Sequence, residues 1–232
     1  MNWKNFTRVL MPFVLVCLMQ FFTYWGNQWY AEANGVVGID LSVIFPNFNQ
    51  AVPFWSYSIY PYVLSYPFWV FTFFYVGYRS KHNMYLLVSL VLVTFTVCGL
   101  VYFFYQTDVE MWRVSSGLFS IQDPNFTERL VLKIYASAGP RNAMPSMHCL
   151  MSWLCIIGAR IDKKMPLPAK IFIWVMGITI CISTQTLKQH YIIDLITGVA
   201  LAEAAYWIFR KSSLTGKLEG FFTKLNIKMK LE

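Results

Sequence analysis

Six long apolar stretches, separated by polar segments, run along the chain. They cover residues 9–30, 55–78, 85–105, 145–161, 168–187 and 190–209. An α-helix needs about 17–25 apolar residues to cross the hydrocarbon core of a bilayer, and these stretches have that length. Because backbone amides in lipid need internal partners, each stretch is expected to be helical. The pattern therefore predicts an all-α integral membrane protein, a bundle of six transmembrane helices.

Two shorter segments are amphipathic rather than continuously apolar. Residues 213–232 mix apolar side chains with lysines, as an interfacial helix does. We therefore divide the chain into a six-helix membrane domain, residues 1–212, and a basic cytoplasmic tail, residues 213–232. Asp123-Pro124 also predicts a short capped helix in the outer interface, which either shapes an entrance for lipid or braces a loop.

Composition agrees with a membrane location and excludes several classes of protein. Charged residues make up 13% of the chain, about half the usual share in a soluble domain. The net charge of +8 does not indicate nucleic-acid binding, because the basic residues stand at the ends of apolar stretches. All five cysteines lie inside or beside those stretches, so we expect neither a disulfide framework nor a metal site.

The basic residues predict the orientation in the membrane. Fourteen of the 19 Lys and Arg residues flank the apolar stretches on one side. The positive-inside rule places that side, with both termini, in the cytoplasm. The loops 31–54, 106–144 and 188–189 then face outward, and the cell membrane is the expected location. The five outward basic residues are Arg113, Arg129, Lys133, Arg141 and Lys188.

Two of the three histidines are predicted to lie at the outer ends of helices. His148 and His190 each begin an apolar stretch, whereas His82 follows Lys81 in a cytoplasmic turn and is expected to be solvated. Asp194 follows His190 by four residues, a spacing that puts two side chains on one face of a helix. The pair is either a nucleophile oriented by a carboxylate or a structural contact between two helices.

The sequence around His148 favours the catalytic interpretation. Pro145 suits the first turn of a helix, where Ser146 and the free amides would form an anion site. Phosphoryl transfer needs a nucleophile, a proton donor and donors around the phosphate oxygens, and His190, His148 and this helix start supply them. Three basic residues are candidates for neutralising phosphate, although each alone would also suit a lipid headgroup: Arg113, Arg141 and Lys188.

These motifs resemble those of a known family. Pro145-Ser146-Met147-His148, followed by Ser183, His190 and Asp194, resembles the second and third signatures of the type 2 phosphatidic acid phosphatase (PAP2) superfamily. Thr184 stands where the common pattern has arginine. The first signature is absent as usually written, and residues 106–113, ending at Arg113, are its degenerate counterpart. The variant motifs look more like the branch that contains inositol phosphorylceramide synthase and sphingomyelin synthase.

The resemblance implies a chemistry and a set of roles. His190 would form a phosphohistidine, Asp194 would orient it, His148 would be the general acid and then the base, and Ser146 would bind phosphate. Lys188 would replace the missing arginine as a point charge. No metal or other cofactor is implied, and the substrate would be a lipid phosphate or phospholipid at the outer face of the membrane.

Three functions remain open at this stage. The main branch of the superfamily hydrolyses lipid phosphates, while the variant branch transfers a phospho-headgroup between lipids. The third alternative is a non-catalytic protein that binds lipid phosphate. The sequence indicates neither the lipid nor the oligomeric state.

Overall fold

The chain folds into a bundle of helices. The computed structural model describes residues 7–231. In this range, the first helix contains a π-helical segment, Phe21–Gly26. The ten helices, in chain order, are α1 (Leu10–Ala33), α2 (Pro46–Ala51), α3 (Ile59–Arg79), α4 (Lys81–Phe104), α5 (Glu110–Val114), α6 (Phe126–Ala138), α7 (Met147–Ile161), α8 (Leu167–Thr186), α9 (Ile192–Phe209) and α10 (Ser213–Lys228).

Four of the described helices are long and apolar enough to cross a membrane: α1, α4, α8 and α9. Helices α3 and α7 coincide with the second and fourth predicted stretches. Helix α7 has 15 residues, below the length of about 17–25 that a membrane-spanning helix needs. The all-helical architecture is confirmed, whereas the count of six spans and the side on which the termini lie stay predictions.

The short capped helix predicted after Asp123-Pro124 is present as α6, and its interfacial location stays a prediction. Its N-cap is Asn125, two residues later than Asp123. The Asn125 side chain accepts a hydrogen bond from the Glu128 amide at 3.1 Å, and the Glu128 carboxylate accepts one from the Asn125 amide at 2.7 Å. This reciprocal cap satisfies two amides that a helix start otherwise leaves unpaired.

Three loop segments meet in a small patch of strand pairing. Strands β1 (Ile39–Asp40) and β2 (Thr107–Asp108) are parallel, and Arg141 forms an antiparallel bridge with Asp108. The loop after α1 and the loop after α4 are thereby joined to the segment that leads into α7.

Helices α7 and α9 are fastened to each other at both ends. At the end where both helices begin, the Ser146 amide donates to the Asp194 carbonyl at 3.0 Å. A Cβ atom on Gly198 would lie 2.7 Å from the Ser146 carbonyl oxygen, so only glycine allows this approach. At the other end Arg160 forms a bidentate ion pair with Glu203, at 2.7 and 2.9 Å.

The two described ends of the chain lie together. Thr7 donates from its hydroxyl to the Leu231 carbonyl at 2.6 Å, and Asn226 donates to the Arg8 carbonyl at 3.1 Å. Helix α10 packs against α4, with the ring of Phe222 stacked on Tyr85 at 5.9 Å. The basic tail is therefore attached to the same end of the bundle as the start of α1.

Replacing Gly198 by Ala should lower the stability of the fold. The new Cβ forces α7 and α9 apart, and such overpacking costs about 1–3 kcal/mol. Gly216→Ala is the matched control, because a Cβ there meets nothing within 4 Å and alanine is the better helix former. Thermal unfolding in detergent should show a lower Tm for Gly198→Ala and an unchanged or higher Tm for Gly216→Ala. Equal Tm values would contradict the tight contact.

Candidate active site

His148 and His190 lie next to each other in the folded chain. His148 is in the first turn of α7, and His190 is in the turn between α8 and α9. Their ring centroids are 6.5 Å apart and the rings are inclined by 50°. Residues more than forty positions apart in sequence thus line one small space.

His190 reaches Asp194 by a different route from the predicted one. The prediction placed both on one face of a helix, but α9 begins only at Ile192, and Tyr191, its N-cap, has an extended backbone. Asp194 is the third residue of α9, and its Oδ2 reaches back to accept the Tyr191 amide at 2.8 Å. This capping position brings Oδ2 to 3.4 Å from His190 Nδ1. The predicted proximity of the two side chains is confirmed, but the prediction that both residues lie in one helix is wrong.

The turn that carries His190 is held by backbone contacts. The amides of Gln189 and His190 both donate to the Thr184 carbonyl, at 3.0 and 3.3 Å. The His190 carbonyl accepts the Trp112 indole N–H at 3.1 Å. His190 itself is only 7% exposed and Asp194 is fully buried. The pair is therefore fixed in position and largely shielded from solvent.

Ser146 is the N-cap of α7, and Pro145 precedes the cap. The expectation that Pro145 lies in the first turn is wrong, because Ser146 supplies the side-chain acceptor that a cap needs and takes that position. Its Oγ accepts the Cys149 amide at 3.3 Å, and Ser146 is fully buried. The Tyr102 hydroxyl donates to the Pro145 carbonyl, which holds the residue before the cap.

Three aromatic residues of α3 surround His148. Its ring stacks on Tyr62 at 4.3 Å and 19°, and meets Trp69 at 5.1 Å and Tyr66 at 5.7 Å. Sequence reasoning missed them, because aromatic residues are common throughout this chain. A signal is present nonetheless: positions 62, 66 and 69 share one helical face.

Arg113 packs against the turn that carries His190. Its Nη2 donates to the Gln189 side chain at 2.6 Å and its Nη1 to the Tyr135 carbonyl at 3.1 Å. Burial lowers the pKa of Arg113, and the phenol of Tyr62 acts in the opposite direction. The guanidinium is therefore near the aromatic wall of His148 as well as the turn of His190.

The other two predicted phosphate ligands have different surroundings. Arg141 donates from Nε to the Val36 carbonyl at 3.0 Å and, within residues 7–231, contacts neither histidine. Lys188 donates to the Val52 carbonyl and lies 3.6 Å from the centre of the Trp112 ring. Burial lowers the pKa of Lys188 to about 8.

Thr184, which replaces the usual arginine, is buried and internally bonded. Its hydroxyl donates to the Cys181 carbonyl at 2.8 Å and accepts from the side-chain amide of Gln185 at 3.1 Å. The position serves the packing of α7 against α8, since the Cys149 sulfur lies 3.6 Å from the same hydroxyl.

The degenerate first signature contributes structural contacts to the site. Gln106 exchanges two hydrogen bonds with Asn142, at 2.7 and 2.8 Å. The Thr107 hydroxyl accepts the amides of Ala143 and Met144, at 3.1 and 2.8 Å. These contacts fix the loop that leads into Ser146 and His148, and sequence reasoning did not assign them.

Several buried polar atoms around the histidines have no hydrogen-bond partner within the described residues. Folded proteins leave few such atoms, so a cluster of them indicates a place where a polar ligand binds. Within residues 7–231, the unpartnered atoms of this cluster, beyond the His190–Asp194 pair itself, are His148 Nε2, Asp194 Oδ1, Gln189 Nε2 and Arg113 Nε.

Comparison with known proteins places these residues in a family. A family model described as the PAP2 superfamily matches residues 31–208, which include both histidines and Asp194. Neither the search of curated proteins nor the search of solved structures found a match. The matched region covers more than half of the chain and contains the whole site, and the chain therefore belongs to the PAP2 superfamily.

Proposed function

We propose that this protein is a membrane lipid phosphatase or phosphotransferase that cleaves a lipid phosphate ester through a phosphohistidine. Membership of the PAP2 superfamily supports phosphatase-type chemistry on lipid phosphates. The observation that carries the proposal is the meeting of His148 with the His190–Asp194 pair, amid buried polar atoms without partners in the described chain.

His190 is the proposed nucleophile. The Asp194 carboxylate near Nδ1 keeps the proton on that atom, so the lone pair of Nε2 is free to attack phosphorus. The Nε2–P bond forms as the bond between phosphorus and the lipid oxygen breaks, with its electron pair going to oxygen. The nearby carboxylate stabilises the positive charge that the ring acquires.

His148 is the proposed general acid and base. In its protonated form it gives a proton to the departing lipid oxygen, which leaves as an alcohol. In the second half-reaction the neutral ring accepts a proton from the attacking hydroxyl, while the Nε2–P bond breaks. His148 lies 6.5 Å from His190 between ring centroids, so both rings are near enough to act on one phosphate ester.

The surrounding donors would stabilise the phosphoryl oxygens. Arg113 Nε and Gln189 Nε2 have no partner in the described chain, and the first-turn amides of α7 add the field of a helix start. Donors held in place before the reaction stabilise developing charge most effectively. Ser146, Arg141 and Lys188 stay predicted phosphate ligands.

The acceptor in the second half-reaction decides between hydrolysis and transfer. Water would release inorganic phosphate, and a lipid hydroxyl would accept the phospho-group or phospho-headgroup. The resemblance of the motifs to the sphingomyelin synthase branch supports transfer as the alternative. Measuring inorganic phosphate and new lipid products in one reaction distinguishes the two.

The proposed setting is the outer face of the cell membrane, with no cofactor. Six spans, in residues 1–212, would place both termini and the tail, residues 213–232, in the cytoplasm. The asymmetric distribution of Lys and Arg supports this orientation. The contact between Thr7 and Leu231 supports an even number of crossings, because it puts both ends on one side.

Replacing His190 by Ala should abolish turnover of lipid phosphates. Loss of a covalent nucleophile that acts as part of a unit lowers kcat by at least about 10³-fold. Release of phosphate or of a new lipid product from a panel of lipid phosphates measures the effect. His82→Ala is the matched control, since His82 lies at the start of α4 and contacts Glu219 rather than the site. Full activity of His190→Ala would contradict the proposal, as would binding without turnover in the unaltered protein.

The charge of Lys188 should produce a pH dependence. With a pKa of about 8, the amine is protonated below that pH and loses its charge as the pH rises through it. If this charge helps to bind phosphate, kcat/KM falls above about pH 8, and Lys188→Arg removes the decline because arginine stays charged. Identical pH profiles for the two proteins would show that Lys188 does not act on phosphate.

A further inference from the structure

Two neighbouring cavities lie between α1 and α3. One, of about 140 Å³, borders His148, and the second, of about 200 Å³, lies beside it. The two share Gln20, Tyr66 and Trp69 in their walls and therefore adjoin each other. We call the two cavities together the α1–α3 groove.

The groove is open on its lipid side and closed at its inner end. Cys17 and Val70 line it and are exposed, Val70 by 40%. At the inner end the ring of Phe13 packs on Phe73 at 5.8 Å and on Phe74 at 5.1 Å. The exposed wall would let an apolar lipid chain enter sideways from the bilayer, and the packed rings would mark the end of its path.

The length of the groove matches one leaflet of a bilayer. From Tyr24, beside His148, to Phe13 the helix advances by roughly 15 Å at the usual rise per residue. That is about half of the ~30 Å hydrocarbon core. Helix α1 packs along α4 and meets α3 at Phe13, so the groove lies between α1 and α3 and ends at that contact.

Gln20 is the exception in a wall that is otherwise apolar or aromatic where the two cavities join. Its side-chain amide forms no hydrogen bond with another described residue. An amide without a partner in the membrane costs free energy, and a ligand that supplies a polar atom would remove that cost. Gln20 therefore lies between the cavity that borders His148 and the more apolar cavity, where the linker between the phosphate and the apolar chain of a bound lipid would lie.

We propose that the α1–α3 groove holds the apolar chain of the lipid phosphate, and that Gln20 hydrogen-bonds to the hydroxyl or ester carbonyl between chain and phosphate. The inference rests on the proposed function, because His148 at the end of the groove is where the lipid oxygen receives its proton. The substrate class is then an acylated alcohol phosphate rather than a water-soluble phosphate ester.

Photocrosslinking locates the chain without requiring turnover. The probe is dodecylphosphonate with a diazirine on the terminal carbon, applied to the full chain in lipid vesicles. Adducts are expected in the peptides that contain Cys17 or residues 70–73. Cys17→Trp should reduce them, whereas Leu18→Trp should not, because Leu18 is 49% exposed and does not line the groove.

A competition experiment with the same probe tests Gln20. The competitors are dodecylphosphonate and the phosphonate analogue of 1-lauroylglycerol 3-phosphate, neither of which can be cleaved. Gln20→Leu should raise the concentration of the acylglycerol analogue needed for half-inhibition roughly fivefold, the effect of one net hydrogen bond. The value for dodecylphosphonate should change much less. Equal changes for both competitors would overturn the role of Gln20.

Two further results would overturn the groove assignment. One is labelling outside the groove, and the other is equal labelling by a diazirine dodecanol that lacks the phosphonate. Because these readouts depend on binding alone, they separate failure of the groove from failure of the proposed function, which the His190→Ala assay reports.

Discussion

The hydrogen bond from the Ser146 amide to the Asp194 carbonyl is the contact on which the site depends. It joins the start of α7 to the first turn of α9, and Gly198 lets the two backbones approach closely enough for it to form. Asp194 also accepts the Tyr191 amide and faces His190. A single buried residue therefore sets the helix spacing, begins α9 and orients the proposed nucleophile.

Residues 106–113 complete this arrangement. Gln106 and Thr107 hold the segment before Ser146, while Trp112 and Arg113 hold the turn of His190 through its carbonyl and through Gln189. A stretch that looks like a blurred signature in the sequence thus touches both halves of the site. Its contribution in this chain is largely one of position, with Arg113 the residue that also offers charge.

Much of this architecture was predictable, because the patterns involved are local. The length of the apolar stretches predicted the long helices. The motifs predicted that His148, His190 and Asp194 lie together. The helix boundaries were predicted less accurately. Tyr191 is the N-cap of α9, so His190 lies outside that helix. Ser146 is the N-cap of α7, so Pro145 lies before the cap and not in the first turn. The aromatic wall of His148 and the pairing of Arg113 with Gln189 depend on contacts distant in sequence, which one chain without its fold does not reveal.

The central claim is that His190 carries the phosphoryl group during turnover. The most direct measurement is to incubate the protein with lipid phosphates labelled with ³²P, stop the reaction in alkali, and map the labelled peptide. We expect an acid-labile, alkali-stable adduct at His190, which disappears on exposure to acid and is absent from His190→Ala. Turnover of the lipid without any labelled protein, or a label on another residue, would contradict it.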